Sequence, residues 1–362
     1  MKIGIDGRMI GEKMHGIARY TVNLLKGILN IDKTNQYILL ITEKYPYKDD
    51  ILFDNLSYMC MKSQFISLSE PFELYTVLKR ERFDIFHSPS FIPPFYRKGP
   101  FLMTIHDMSH LVYSGLSRRL YYKFIIKPYV KKARRILTVS EFSKSEICRA
   151  FSLEEEKVSV IYNGVEDRFG LISEKVHIQK VKERHNIPGK FILTIGNEKD
   201  HKNLKTLLKA FKKVDRDYFL VLNLEGKGLI EREVRGAGIK ERVYFIGYVD
   251  DSDMPCLYNA ASAFVLVSLK EGFGLPALEA MACGCPVVVS DTSSLPEVCG
   301  DAAFYVDPGD VDDIAKGINE VLGDLELRDN LIQKGLKRAS LFTWEKASKE
   351  VLNLYMELTK YC

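Results

Sequence analysis

Two glutamates eight positions apart, Glu271 and Glu279, flank the glycine pair Gly272 and Gly274 in SLKEGFGLPALEAMACGCPVVVS. The apolar run before Ser268 predicts a buried strand. A short loop then carries Glu271, Gly272, Phe273 and Gly274, and a helix is expected from about Leu275, with Pro276 in its first turn, where a missing N–H costs nothing. The glycines remove side chains where unpaired backbone N–H groups leave a helix N-terminus, which suits an anion such as a diphosphate. Carboxylates do not bind phosphate, so the two glutamates suit hydroxyl-bearing groups on either side of it, a sugar and a ribose. The segment reads as a pocket for a nucleotide diphosphate sugar. Two other readings compete with it. Gly272 to Ala277 formally fits the G-x-G-x-x-A fingerprint of dinucleotide folds, but that fingerprint follows its strand directly and opens the first unit of its domain. Here Leu269, Lys270 and Glu271 intervene and the unit is the fourth of its half. The remaining reading is that both glutamates merely solvate a helix.

A second anion site is expected in FILTIGNEKDHKNLKTLLKAF. A strand ends at Gly196, and the loop delivers His201 and Lys202 to the next helix, with Asp200 or Asn203 as candidate cap. At the front of the chain, GRMIGEKMHGIARY places Gly16 where backbone could approach a phosphate or sugar closely. In TIHDMSH, His106 and Asp107 stand at the carboxyl end of a strand, His106 as a functional candidate. No D-x-D follows a strand, and Asp310-Val-Asp312-Asp313 reads as helix capping. No essential metal and no cofactor are expected.

These residues need strands that end together. Candidate strands are 2–6, 37–42, 84–88, 101–105, 136–140 and 158–162; after a polar stretch from Asn163 to Lys190 they resume at 191–196, 218–224, 243–247, 263–268 and 286–290. Strands this apolar belong to parallel sheets covered on both faces. Alternating strands and helices in two successive runs predict two doubly wound α/β domains, 1–170 and 171–343, with the ligand beyond the strand carboxyl ends in a cleft between them. A length of 362 residues agrees with two domains.

With 46% apolar and 28% charged residues the chain is an ordinary globular protein, neither disordered, collagenous nor coiled coil. No apolar run approaches the ~20 residues that cross a bilayer, and MKIGIDGRM has no signal-peptide core, so a cytoplasmic location is expected. Seven scattered cysteines read as free thiols. The net charge of +4 divides unevenly, +7 over residues 1–170 and −3 over the rest. Eight Lys or Arg from Arg118 to Arg135 meet no acid and alternate with Tyr121, Tyr122, Phe124, Ile125, Ile126 and Tyr129. That stripe is either a solvated surface helix or a patch for anionic membrane lipid or a phosphate-bearing acceptor. No reading motif for nucleic acid accompanies it.

The stretch from Glu271 to Glu279 resembles the E-x7-E signature of retaining glycosyltransferases of family GT4. GIARYT, HSPSFIPP, TIHD, VSEFSKSEI, VIYNGVEDRF, GNEKDHKNL, SSLPEVCGDAAFYVDPGD and FTWEKAS resemble further pieces of that family, in order along almost the whole chain. The resemblance implies the two-domain GT-B fold, with the Gly274 and Leu275 amides and Lys202 on the diphosphate, Glu279 on the ribose and Glu271 on the donor sugar. It also implies that His106 touches the sugar, that Gly16 lies by the phosphate, and that a tail helix, 344–362, crosses back to the N-terminal domain. Two departures stand out. Asn197 replaces an arginine common in the family, leaving His201 or another residue to share the charge. The usual G-I-G-R-Y reads Gly16-Ile17-Ala18-Arg19-Tyr20, which bears on acceptor access, with Arg19 and Asp107 as acceptor candidates.

The HSPSFIPP and TIHD versions resemble bacterial mannosyltransferases of polysaccharide and O-antigen assembly. GDP-mannose is therefore the expected donor and a glycan or lipid-linked glycan the acceptor, with a UDP-sugar donor or a silent nucleotide-binding or glycan-binding subunit as alternatives. Because a helix N-terminus and Lys202 are expected to do what a metal does elsewhere, EDTA should leave transfer intact. Loss on chelation with rescue by Mn²⁺ or Mg²⁺ would contradict that.

Overall fold

The computed structural model describes residues 1–11, 16–43, 45, 51–63, 67, 69–94, 99–108, 124, 126–224 and 228–360. The chain divides into two compact units, Met1–Gly164 with Thr343–Cys362, and Val165–Phe342. The first holds a sheet of β1 (Lys2–Asp6), β2 (Gln36–Thr42), β3 (Leu56–Met61), β4 (Ile85–Ser88), β5 (Phe101–Thr104), β6 (Arg135–Thr138) and β7 (Val158–Val160). The second holds β8 (Lys190–Ile195), β9 (Tyr218–Asn223), β10 (Val243–Phe245), β11 (Ala263–Leu266), β12 (Val287–Ser290) and β13 (Phe304–Val306). The strand orders are β3-β2-β1-β4-β5-β6-β7 and β10-β9-β8-β11-β12-β13, parallel at each pairing. Each sheet thus starts at its centre, winds one way, returns, and winds the other. Its switch point lies between β1 and β4 in the first unit and between β8 and β11 in the second.

Every residue of β4, β5, β11 and β12 is buried, as strands of a parallel sheet covered on both faces are, including the polar His87 and Thr104. β3 and β13 are additions to the strands expected from sequence. Both are edge strands, and the half-exposed LSYMCM and three-residue FYV lack the continuous apolar signal of the central strands. The basic stripe is described only in part. Its residues 118–123 and Ile125 lie outside the described residues; the remainder has one short helix, Lys127–Val130, with Ile126 and Val130 buried and Lys131, Lys132 and Arg134 exposed. Among the described residues no helix is long and apolar enough to cross a membrane.

The first unit is closed by the chain's last helix. Trp344–Thr359 buries Ala347, Ser348, Val351, Leu352, Leu354, Tyr355 and Leu358, one face at 3–4 residue spacing. That face shares a core cluster with Tyr20, Leu24, Leu25 and Ile28 of the first helix, Gly16–Ile31. Thr343 caps the tail helix by accepting the Lys346 N–H at 3.2 Å. Two glycines permit the close fit: a Cβ on Gly27 would overlap the Ser348 hydroxyl, and one on Gly164 would overlap the Trp344 backbone.

Tyr355 of this helix reaches His87 on β4. The His87 ring is wholly buried, with Nδ1 2.6 Å from the Tyr355 hydroxyl and Nε2 2.7 Å from Thr104 Oγ1. Burial, reinforced by nearby His106, pushes the His87 pKa down to about 3 from 6.5. Above pH 6.5 the imidazole is neutral whether folded or unfolded; as pH falls from there toward 3, only the unfolded chain takes the proton. Stability present above 6.5 is therefore lost at up to about 1.4 kcal/mol per pH unit. Urea unfolding of this unit, followed by emission of Trp344, the chain's single tryptophan, should lose about 2 kcal/mol more between pH 7 and 5 in the wild type than in His87→Gln. Equal losses would show that His87 does not carry this dependence.

Candidate active site

In the second unit the loops leaving β8 and β11 meet at the switch point. Leu269 N–H donates to the His201 carbonyl at 2.8 Å, carrying the contact between these loops past the end of the strands. Beyond that bond Lys202 Nζ stands 2.7 Å from Glu271 Oε1. The pair is sheltered, with side chains 19% and 12% exposed, so solvent screens it less than a surface pair. The Lys202 stem lies along Gly196 at 3.7 Å.

Glu271 is held at every polar group but one. Ser268 Oγ donates to Oε1 at 2.6 Å, Ser293 Oγ accepts the backbone N–H at 3.2 Å, and Ser294 Oγ donates to the carbonyl at 3.0 Å. Among the described residues no group donates to its Oε2. Asn203 occupies the cap position expected of it but does not cap with its side chain. Its φ is +56°, and its amide donates to the Val267 and Pro308 carbonyls at 3.0 and 2.7 Å, tying the loop to β11.

Leu275 opens the helix Leu275–Ala282, with Pro276 in the first turn. Gly274 precedes it at φ +94°, and a Cβ there would lie 2.5 Å from Leu295 Cδ2, so both conformation and space require glycine. No side chain caps this end, and among the described residues nothing accepts the Gly274 or Leu275 N–H. Glu279, half-buried in the second turn, accepts the Tyr258 hydroxyl at 3.0 Å. Tyr258 is fully buried, and burial together with Glu279 holds its phenol well above the usual range, so it remains a donor.

The other expected donor residues take supporting positions. Asn197 is exposed and its Oδ1 accepts the Lys199 N–H at 3.1 Å, forming the turn that leads to Lys202. His201 is half-buried and engages Leu269 through its carbonyl. Gly272 and Phe273 are buried, the Phe273 ring edge-on to Phe342 at 5.9 Å.

In the first unit, β1 ends at Asp6, which binds the buried Arg8 guanidinium at 2.6 and 2.8 Å; Glu70 binds it at 2.8 Å and so anchors the following loop. Gly16 starts the first helix, is exposed, and has open space where a Cβ would stand. His106 and Asp107 follow β5 and are half-buried, as is Arg19. His106 Nε2 lies 3.3 Å from the Pro89 carbonyl, and its ring meets the Tyr20 ring edge-on at 4.6 Å.

Ser268, Ser293, Ser294 and Tyr258 were not among the residues singled out from sequence. Ser268 ends an expected strand and the serine pair opens SSLPEV, so position marked them, but no spacing rule reveals that three serines converge on one glutamate. Ser293 sits at φ +61°, a region glycine enters freely. Ser293→Gly relaxes that backbone while losing the bond to Glu271, and should melt within a few degrees of the wild type. Ser293→Ala keeps the strain and loses the bond, and should cost about 1–2 kcal/mol. The opposite ranking in thermal melts would contradict this account.

Residues 14–169 match Glycosyltransferase Family 4, and residues 177–338 match Glycosyl transferases group 1. The chain is 34% identical over 287 residues to the O-antigen chain mannosyltransferase B of Escherichia coli, covering 75% of this chain and 74% of that protein. It is 34% identical over 213 residues to the O-antigen chain mannosyltransferase RfbU of Salmonella typhimurium, covering 58% and 57%. Among solved structures, Anabaena Alr3699/HepE in complex with UDP and glucose aligns over 99% of this chain and 100% of its own with a TM-score of 0.79 at 18% identity, a likeness of fold. The paired parallel sheets are those of the GT-B fold. Since family matches fall on both units in chain order and three-quarters of a curated relative aligns, the chain belongs to glycosyltransferase family 4 and is a glycosyltransferase.

Proposed function

We propose that the chain is a retaining hexosyltransferase that moves mannose from GDP-mannose to a hydroxyl of a glycan or lipid-linked glycan in surface polysaccharide synthesis. The observation that carries this reading is the Lys202–Glu271 pair, 2.7 Å apart, in the loops beside the uncapped N-terminus of Leu275–Ala282. A diphosphate at that N-terminus competes with Glu271 for the Lys202 ammonium. As the donor bond breaks, charge grows on the departing phosphate oxygen, and Lys202 and the Gly274 and Leu275 N–H groups stabilise it without a metal. Glu271 Oε2 accepts a sugar hydroxyl, and Glu279, fixed by Tyr258, accepts the ribose hydroxyls.

His106 positions the sugar, Gly16 leaves room beside the phosphate, and Arg19 and Asp107 serve the acceptor. The first unit is thus the acceptor side and the second the donor side. With Glu271 and Glu279 assigned to hydroxyls, neither is assigned as a nucleophile. Attack from the leaving-group face, with the departing phosphate oxygen taking the acceptor proton, therefore fits best and retains the anomeric configuration. The enzyme works at the cytoplasmic face of the membrane, where the exposed Lys131, Lys132 and Arg134 suit anionic headgroups.

The names of the Escherichia coli and Salmonella relatives support mannose as the sugar. A UDP-sugar donor is the second reading, favoured by HepE, whose structure holds UDP and glucose. The test offers GDP-mannose or UDP-glucose with lipid-linked acceptor and reads the product's anomeric centre by NMR. An α-mannosyl product is expected, with Lys202→Ala lowering kcat/KM about 10²-fold. A β-linked product, transfer from UDP-glucose alone, or an unchanged Lys202→Ala would overturn the proposal.

A further inference from the structure

Behind His106, four side chains form a continuous path that the transfer reading does not use. The Tyr20 hydroxyl lies 3.1 Å from Thr104 Oγ1, Thr104 Oγ1 lies 2.7 Å from His87 Nε2, and His87 Nδ1 lies 2.6 Å from the Tyr355 hydroxyl. Thr104, His87 and Tyr355 are wholly buried, so no water can stand in for a missing partner. The Tyr20 ring also meets two other rings edge-on: His106 at 4.6 Å and 82°, and Trp344 at 5.9 Å and 67°.

Trp344 and Tyr355 lie on the same tail helix. That helix therefore holds Tyr20 at two points: the indole braces the ring, and Tyr355, through His87 and Thr104, anchors the hydroxyl at its tip. A hydrogen bond fixes one atom of an imidazole, whereas an edge-to-face neighbour fixes its plane. With both ends held, the Tyr20 ring is a fixed wall against which the His106 plane is set. His87 suits the relay because its burial keeps it neutral, one ring nitrogen donating and the other accepting.

We infer that Tyr20 is a positioning residue for His106, and that the tail helix sets the orientation of that imidazole through Tyr20. The inference rests on the reading of His106 as a contact to the donor sugar, and the experiment separates the two. Imidazole ¹⁵N NMR of the full chain reports His106 directly, alongside steady-state transfer. Tyr20→Leu removes the ring; it should shift the His106 nitrogen resonances and titration midpoint and lower kcat about ten- to a hundredfold with donor KM unchanged. Tyr355→Phe breaks the far end of the relay and should move the same resonances less. Tyr20→Phe keeps the ring and should restore most of kcat.

Unmoved His106 resonances in Tyr20→Leu would overturn the inference. Should that variant fail to fold, Tyr20→Phe and Tyr355→Phe decide, and His106 resonances identical to the wild type in both would overturn it equally. His106→Ala is the control. If it transfers at the wild-type rate while Tyr20→Leu still moves the imidazole, the sugar-contact role of His106 falls and the structural coupling stands.

Discussion

A doubly wound parallel sheet has one place where consecutive crossovers leave in opposite directions, and in the second unit Lys202 and Glu271 meet there. In the second unit that place lies between β8 and β11. The loops that follow these two strands are neighbours in space although Lys202 and Glu271 are 69 positions apart. Strand pairing brings their backbones into line, the Leu269–His201 bond extends that alignment beyond the sheet, and the ammonium and carboxylate then meet without a dedicated scaffold.

What differs between the two partners is how tightly each is held. Glu271 has a serine on its amide, a serine on its carbonyl and a serine on its carboxylate. Lys202 reaches it on a flexible stem resting against Gly196. For the proposed donor, a fixed anion facing an adjustable cation suits a substrate that carries both hydroxyls to be oriented and charge to be followed as it moves. Preorganisation belongs on the group whose geometry selects the substrate, and freedom on the group that answers a changing charge.

The central strands and the glycine loop were legible from sequence because their physics is local. The short apolar runs of β5, β11 and β12 between turn residues mark buried strands, and Gly274 before Leu275-Pro276 marks a helix start. Edge strands β3 and β13 escaped because an edge is half-exposed and its pattern is weak. Asn203 shows the limit more sharply. Its type and position mark a cap, yet two carbonyls from distant loops claim its amide. The serines around Glu271 and the path from Tyr355 to Tyr20 were illegible for the same reason, since each joins segments far apart in the chain by single contacts that leave no periodicity.

The first unit is interrupted by the second: its strands end at Val160, but its core also draws on Trp344–Thr359, which packs with the first helix. The second unit is an unbroken stretch of chain, whereas the first is built from two separated segments. Completing the core that holds Leu24, Leu25 and Ile28 therefore requires closing a loop that contains the whole second unit. The same closure delivers Trp344 and Tyr355 to Tyr20 and His87. A chain cut before Trp344 would keep every residue of the second unit and lose both of those contacts.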